Sequence, residues 1–165
     1  MPIRPVPLLV SLLFSLVTLL PVSAAAADLD LSKALVIGNG PKTVIEFTDP
    51  DCPFCRKAAS YFANRTDVTK YVFFIPLAKH PEAKLKARYI LSQANRAKAY
   101  HEVMSGKLDG SDVRKLPVTP RGVKLQEQQQ EIAKKAGIDA TPTFMLFGRI
   151  IEGFDLVKIE ALLGK

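Results

Sequence analysis

Cysteine occurs twice in these 165 residues, at Cys52 and Cys55, within the stretch TDPDCPFCRK from Thr48 to Lys57. Two thiols at that spacing admit a structural staple, half of a metal site, or a redox couple. A structural disulfide stabilises according to the loop it closes, and a C-x-x-C ring closes almost nothing. A closed zinc site needs four ligands, and His80 and His101, the only histidines, do not have ligand spacing. Haem attachment through C-x-x-C requires a histidine next, and Arg56 stands there. Redox chemistry is the reading that survives, and it calls for no metal and no cofactor.

The position of the pair supports it. Thr43 to Thr48 is β-branched and apolar and reads as a buried strand. From Pro53 onward Ala58, Ala59, Phe62 and Ala63 recur at helical spacing. Cys52 therefore sits at a helix mouth, where unpaired N–H groups and the helix dipole favour a thiolate. Pro53 suits the first turn because its missing N–H has no partner there anyway. Cys55 lies one turn further in, on the same side, more shielded and less acidic. Cys52 is then the nucleophile and Cys55 the resolving thiol. Pro53 and Phe54, between them, are read as substrate-facing.

Two further features bear on the site. Glu46 lies inside the apolar run six positions before Cys52. It is either buried, able to exchange a proton with Cys55, or it escapes at the strand edge and pairs with Lys42 or Lys70. Thr141-Pro142 precedes another apolar run, and its proline marks either the start of a strand or a cis bond.

The elements that must position these residues can be read along the chain. Strands are expected at Ala34–Ile37, Thr43–Thr48 and Tyr71–Leu77, with Pro76 marking the end of the third. A long helical stripe runs through Ala87, Leu91, Ala94, Ala97, Tyr100 and Met104 and closes at Gly106. A loop with Pro117, Pro120 and Gly122 leads to a helix at about Lys124–Ala136, stopped by Gly137. Thr143–Phe147 and Arg149–Glu152 form a hairpin about Gly148, and Leu156–Leu163 is a last short helix. The order implies an α/β fold, a mixed sheet covered by helices.

Residues 1–27 read as a signal peptide: Arg4, an apolar run Leu8–Leu20, then small residues, with cleavage after Ala24 or Ala27. The rival is an uncleaved anchor, but the run falls short of the roughly 20 residues a spanning helix needs. The expected compartment is a bacterial periplasm, where a dithiol can be oxidised. Residues 28–165 then form a single domain. Composition is globular, with 48% hydrophobic residues and a net charge of +7. Charge is uneven, since Lys79–Lys124 holds 11 basic and 4 acidic residues. That segment reads as a solvated helical surface. No nucleic-acid platform is expected, because aromatic residues do not interleave with the cations.

Three motifs carry a resemblance: FTDPDCPFC (Phe47–Cys55), AKAYHEVMSGK (Ala97–Lys107) and GIDATPTFML (Gly137–Leu146). They resemble the thioredoxin fold and, more narrowly, the catalytic domain of the DsbC/DsbG thiol:disulfide interchange family. The resemblance implies a helical insertion at about 80–137, between the third strand and a cis-proline strand. It also implies that Thr141 and Pro142 form a substrate loop holding client backbone as an extended strand. Glu46 matches the buried acid of thioredoxin and DsbA, a position usually apolar in DsbC-type domains. Two departures stand out: no N-terminal dimerisation domain and no second cysteine pair. They leave a monomer as the expectation. The implied partners are cysteine-containing protein substrates and a membrane electron donor or acceptor of the DsbD or DsbB type. A reductase or isomerase, a DsbA-like oxidase, and an assembly factor for a secretion or conjugation system all stay open.

Overall fold

The computed structural model describes residues 29–165, so the signal-peptide reading of 1–27 lies outside the described residues. Strand β2 (Lys42–Thr48) is central. On one side β3 (Val68–Phe74) runs parallel to it, and β1 (Leu35–Ile37) pairs antiparallel with β3. On the other side β4 (Thr143–Leu146) is antiparallel to β2, and β5 (Arg149–Glu152) completes a hairpin with β4. The order β1-β3-β2-β4-β5 is the mixed sheet expected from the sequence.

Parallel neighbours need a crossover, and α1 (Pro53–Phe62) supplies it between β2 and β3. Its buried residues Cys55, Ala58, Ala59 and Phe62 fall on one stripe, so the helix can only lie with that face on the sheet. Alternation along the strands then sorts the core. Val72 and Phe74 of β3 face Cys55, Ala59 and Tyr100, and Val44 of β2 faces Ala58 and Phe62. Helix α5 (Leu156–Leu163) closes this side through Ile159 and Leu163. Phe47 and Phe73 point the other way, stacked at 5.2 Å, onto Ala133 of α4 (Pro120–Lys135).

The long helical stripe is two helices, α2 (Ala83–Ser92) and α3 (Arg96–Met104). Asn95 breaks it by capping α3, its side chain accepting the Lys98 N–H at 2.9 Å. The stripe looked continuous because Ala87, Ile90, Leu91, Tyr100 and Val103 enter one cluster across the break. The third strand starts three residues before the expected Tyr71 and ends at Phe74. Lys70 disguised its beginning, since a lysine inside a central strand reads as a turn. Beyond Phe74 only the Ile75 N–H, bonded to the Thr48 carbonyl at 2.9 Å, extends the ladder before Pro76. Helix α4 begins at Pro120, not Lys124, because Thr119 caps it by accepting the Gly122 N–H at 3.1 Å.

Two residues of α4 explain its close seat. A side chain at Gly122 would run into Ser92 and the Arg88 carbonyl of α2. Gln129 is fully buried; it accepts the Phe74 N–H at 2.9 Å and donates to the Lys33 carbonyl at 2.6 Å. Strand β1 reaches only as far as Val72 in the β3 register, so this amide stands in for the missing partner of Phe74.

Candidate active site

Strand β2 delivers Thr48 and Asp49, a short turn follows, and Cys52 is the N-cap of α1 with extended backbone (φ −76°, ψ 122°). Pro53 occupies the first turn, and the Cys52 carbonyl accepts the Arg56 N–H at 3.1 Å. Both cysteines are free thiols here. Cys52 is 4% exposed and Cys55 is wholly buried. The Asp49 N–H points at the Cys55 sulfur, 3.4 Å away. Beside it Thr48 Oγ1 is buried without a hydrogen-bond partner among the described residues.

The two sulfurs are electrostatically unequal. A hydrogen bond from Cys55 pulls the Cys52 thiol down to about 5; burial opposes this, and the N–H groups of Cys55 and Phe54 at the helix mouth add to it. Burial pushes Cys55 up, and its bond to Cys52 pushes it further the same way. The outer sulfur is thus the far more acidic of the two, and the inner one holds its proton more tightly.

The Thr141-Pro142 peptide bond is cis, and the loop lies against the cysteines: Cys52 Sγ is 3.6 Å from the Thr141 carbonyl oxygen. The loop is fixed from below, where the Pro142 carbonyl accepts the Gly153 N–H at 2.7 Å and Thr143 Oγ1 donates to the Ala140 carbonyl at 2.8 Å. Phe54 projects outward, 57% exposed, with the Lys57 ammonium 5.5 Å from its ring centre. The structure thus brings Cys52, Cys55, Thr141 and Pro142 together, with Pro53 and Phe54 at the surface beside them.

Glu46 is fully buried on the central strand, not at an edge. It is also paired: Oε2 is 2.6 Å from Lys70 Nζ, which donates to Tyr100 Oη at 2.9 Å. Lys42 pairs instead with Asp67, at 2.9 Å. Burial pulls Lys70 down, but the Glu46 carboxylate and Tyr100 more than offset it, and the ammonium sits above its ordinary value. Its ammonium lies 5.0 Å from the ring centres of both Phe62 and Tyr100. Glu46 makes no hydrogen bond to either cysteine, and its Oε1 has no partner among the described residues.

Sequence reasoning missed the groups that hold the loop before Cys52. Asp49 is buried; its side chain accepts the Asp51 and Leu77 N–H groups at 2.7 Å each and lies 3.0 Å from His80 Nδ1. Arg56 forks onto Asp109 at 2.5 and 2.8 Å and also donates to the Pro50 carbonyl at 2.7 Å and to Asp51 at 3.1 Å. Lys86 joins Asp51, Glu82 and Asp109 at 2.6, 3.1 and 3.3 Å. The motif's own charged residues, Asp49, Asp51 and Arg56, were the available signal; their partners outside the motif lie 28 to 53 positions away.

The profile of the thioredoxin-like domain family matches residues 29–154. A probable thiol:disulfide interchange protein DsbC from Bordetella avium is 28% identical over 123 residues, 74% of this chain but 41% of the relative. The chain therefore spans less than half the length of that curated relative. The crystal structure of a disulfide interchange protein from Neisseria gonorrhoeae superposes with a TM-score of 0.66 at 31% identity, covering 82% of this chain and 99% of the other. A periplasmic thioredoxin-like protein from Salmonella enterica serovar Typhimurium shares the fold, with a TM-score of 0.65 at 17% identity over 79% of this chain and 88% of its own. The matched span, the five-stranded mixed sheet and the C-x-x-C helix mouth facing a cis-proline loop agree, and the chain belongs to the thioredoxin-like domain family.

Proposed function

We propose that this protein is a thiol:disulfide oxidoreductase acting on cysteine-containing proteins, most like a DsbC/DsbG-type reductase or isomerase. The observation that carries the reading is the asymmetry of the pair: an acidic sulfur at the helix mouth, 3.6 Å from the Thr141 carbonyl oxygen, and a buried, far less acidic one a turn inside. The Cys52 thiolate attacks one sulfur of a client disulfide, forming a Cys52–client bond and releasing the other client sulfur as a thiolate. Cys55 then loses its proton and attacks Cys52 Sγ. The Cys52–Cys55 disulfide forms, the second client sulfur leaves, and two electrons have passed to the client. In isomerisation the released client thiolate resolves the mixed disulfide instead, with no net transfer.

Glu46 serves as the acceptor for the Cys55 proton, a role supported by its buried and unpartnered Oε1. Thr141 and Pro142 align client backbone beside Cys52, with Pro53 and Phe54 as the exposed contact. The reaction belongs in an exported compartment, with residues 1–27 as the signal and a membrane dithiol donor of the DsbD type restoring the reduced pair. One observation favours a second reading. A thiolate held at about 5 stabilises the reduced form, which is the property of an oxidising, DsbA-like couple served by a DsbB-type acceptor.

One experiment tests both. Reduced Cys55→Ala protein mixed with scrambled ribonuclease is expected to accumulate a mixed disulfide through Cys52, and the wild-type protein to restore ribonuclease activity. Neither happening would refute exchange on proteins. A reduction potential near about −270 mV identifies a reductant, and one near about −120 mV the oxidase.

A further inference from the structure

A groove of about 990 Å³ runs beside the nucleophile between α1 and α3. Pro53, the residue after Cys52, lies at its wall, and the buried side chains of Ala59 and Met104 supply an apolar floor. Its rim is cationic. Lys57 from α1, Lys98 from α3 and Lys107 from the turn after α3 all line it and are exposed.

Several cations of the segment Lys79–Lys124 are instead tied to carboxylates. Lys86 is surrounded by three carboxylates, Arg88 meets Glu127 at 2.9 Å, and Arg114 meets Asp112 at 2.9 Å. Arg56, also at the groove, is held by Asp109 and Asp51. Among the described residues Lys57 and Lys98 meet no carboxylate, and Lys107 reaches Glu102 only at 4.0 Å. Glu102 is the one acid lining the groove. His101, also at the groove, is held below its ordinary value by burial and by Lys70.

We propose that this groove docks an acidic segment of the protein whose disulfide Cys52 exchanges, so that the enzyme favours targets with carboxylates flanking the reactive cysteine. The inference rests on the thiol-exchange reading above. Small apolar side chains of the segment lie on Ala59 and Met104 while its carboxylates meet the lysine rim. Like-signed lysines around a low-dielectric floor focus their field over the route to Cys52, which speeds encounter with anionic partners and repels cationic ones.

The test uses three disulfides and the reduced full-length protein. Two are peptides identical except that glutamate or lysine flanks the disulfide, and the third is hydroxyethyl disulfide, small and uncharged. At low ionic strength the glutamate peptide is expected to react about tenfold faster than the lysine peptide. The advantage should vanish in about 1 M salt, where screening acts within about 3 Å. In Lys98→Glu/Lys107→Glu, both outside α1, the preference should disappear or invert while hydroxyethyl disulfide reacts at the wild-type rate. Equal rates for the two peptides, or a preference that survives the double substitution, overturn the groove assignment and leave thiol exchange intact. If Cys52 fails to exchange with hydroxyethyl disulfide, the underlying activity is refuted and the groove proposal falls with it.

Discussion

Each sulfur, carboxylate and ammonium near the site is set by its immediate neighbours, and Glu46 shows how far such neighbours can be read from sequence. Its place inside an apolar strand left two outcomes open, burial or escape at the strand edge to a lysine. Lys70 was one of two lysines offered as its partner, and the parallel register of β2 and β3, which sets Val44 opposite Lys70 and Glu46 opposite Val72, decides for it over Lys42. Burial and pairing, weighed as rivals, are both true. A charge pair this enclosed is costly to break and cheaper to remove entirely. Lys70→Met, which strands the carboxylate, is expected to destabilise the reduced protein by about 3–5 kcal/mol. Lys70→Met/Glu46→Leu should recover most of that loss in urea melts. A double variant no more stable than the single one would show that the pair is not the source of the cost.

Among the elements, the strands and α1 were legible because burial on a sheet imposes alternation and burial of one helix face imposes a stripe. The β2–C-x-x-C–α1 unit could be placed to within a residue for the same reason. The split between α2 and α3 was hidden, since both halves feed one cluster and the only local sign was the capping preference of Asn95. The seating of α4 on α2 was equally hidden, because Gly122 read as a loop glycine. Its real constraint is the Arg88 carbonyl and the Ser92 side chain of α2, packed against the space a methyl group would fill. Gly122→Ala should therefore lower stability by about 1–3 kcal/mol despite its better helix propensity. A thermal melt at or above the wild-type midpoint would contradict that packing account.

For the whole molecule, folding and the chemistry of the outer thiol are linked through protons. Cys52 titrates at about 5 when folded and near 8.5 in an unfolded chain. Its depressed value contributes stability that is fully present above the unfolded value and lost as pH falls through the folded one. Between about pH 8.5 and 5 the reduced wild-type protein should thus lose stability relative to Cys52→Ser, which lacks the group. Urea midpoints that run parallel for the two proteins across that window would disprove the linkage. The sequence showed which thiol would be acidic; the extent depended on Cys55 donating to it, a geometry that only the assembled helix mouth creates. The same assembly has a bearing on how the sheet meets other chains. Because the Gln129 amide occupies the main-chain donor of Phe74 where β1 falls short, a stray extended chain cannot pair with that donor. A single glutamine thereby closes one backbone donor to pairing with another strand.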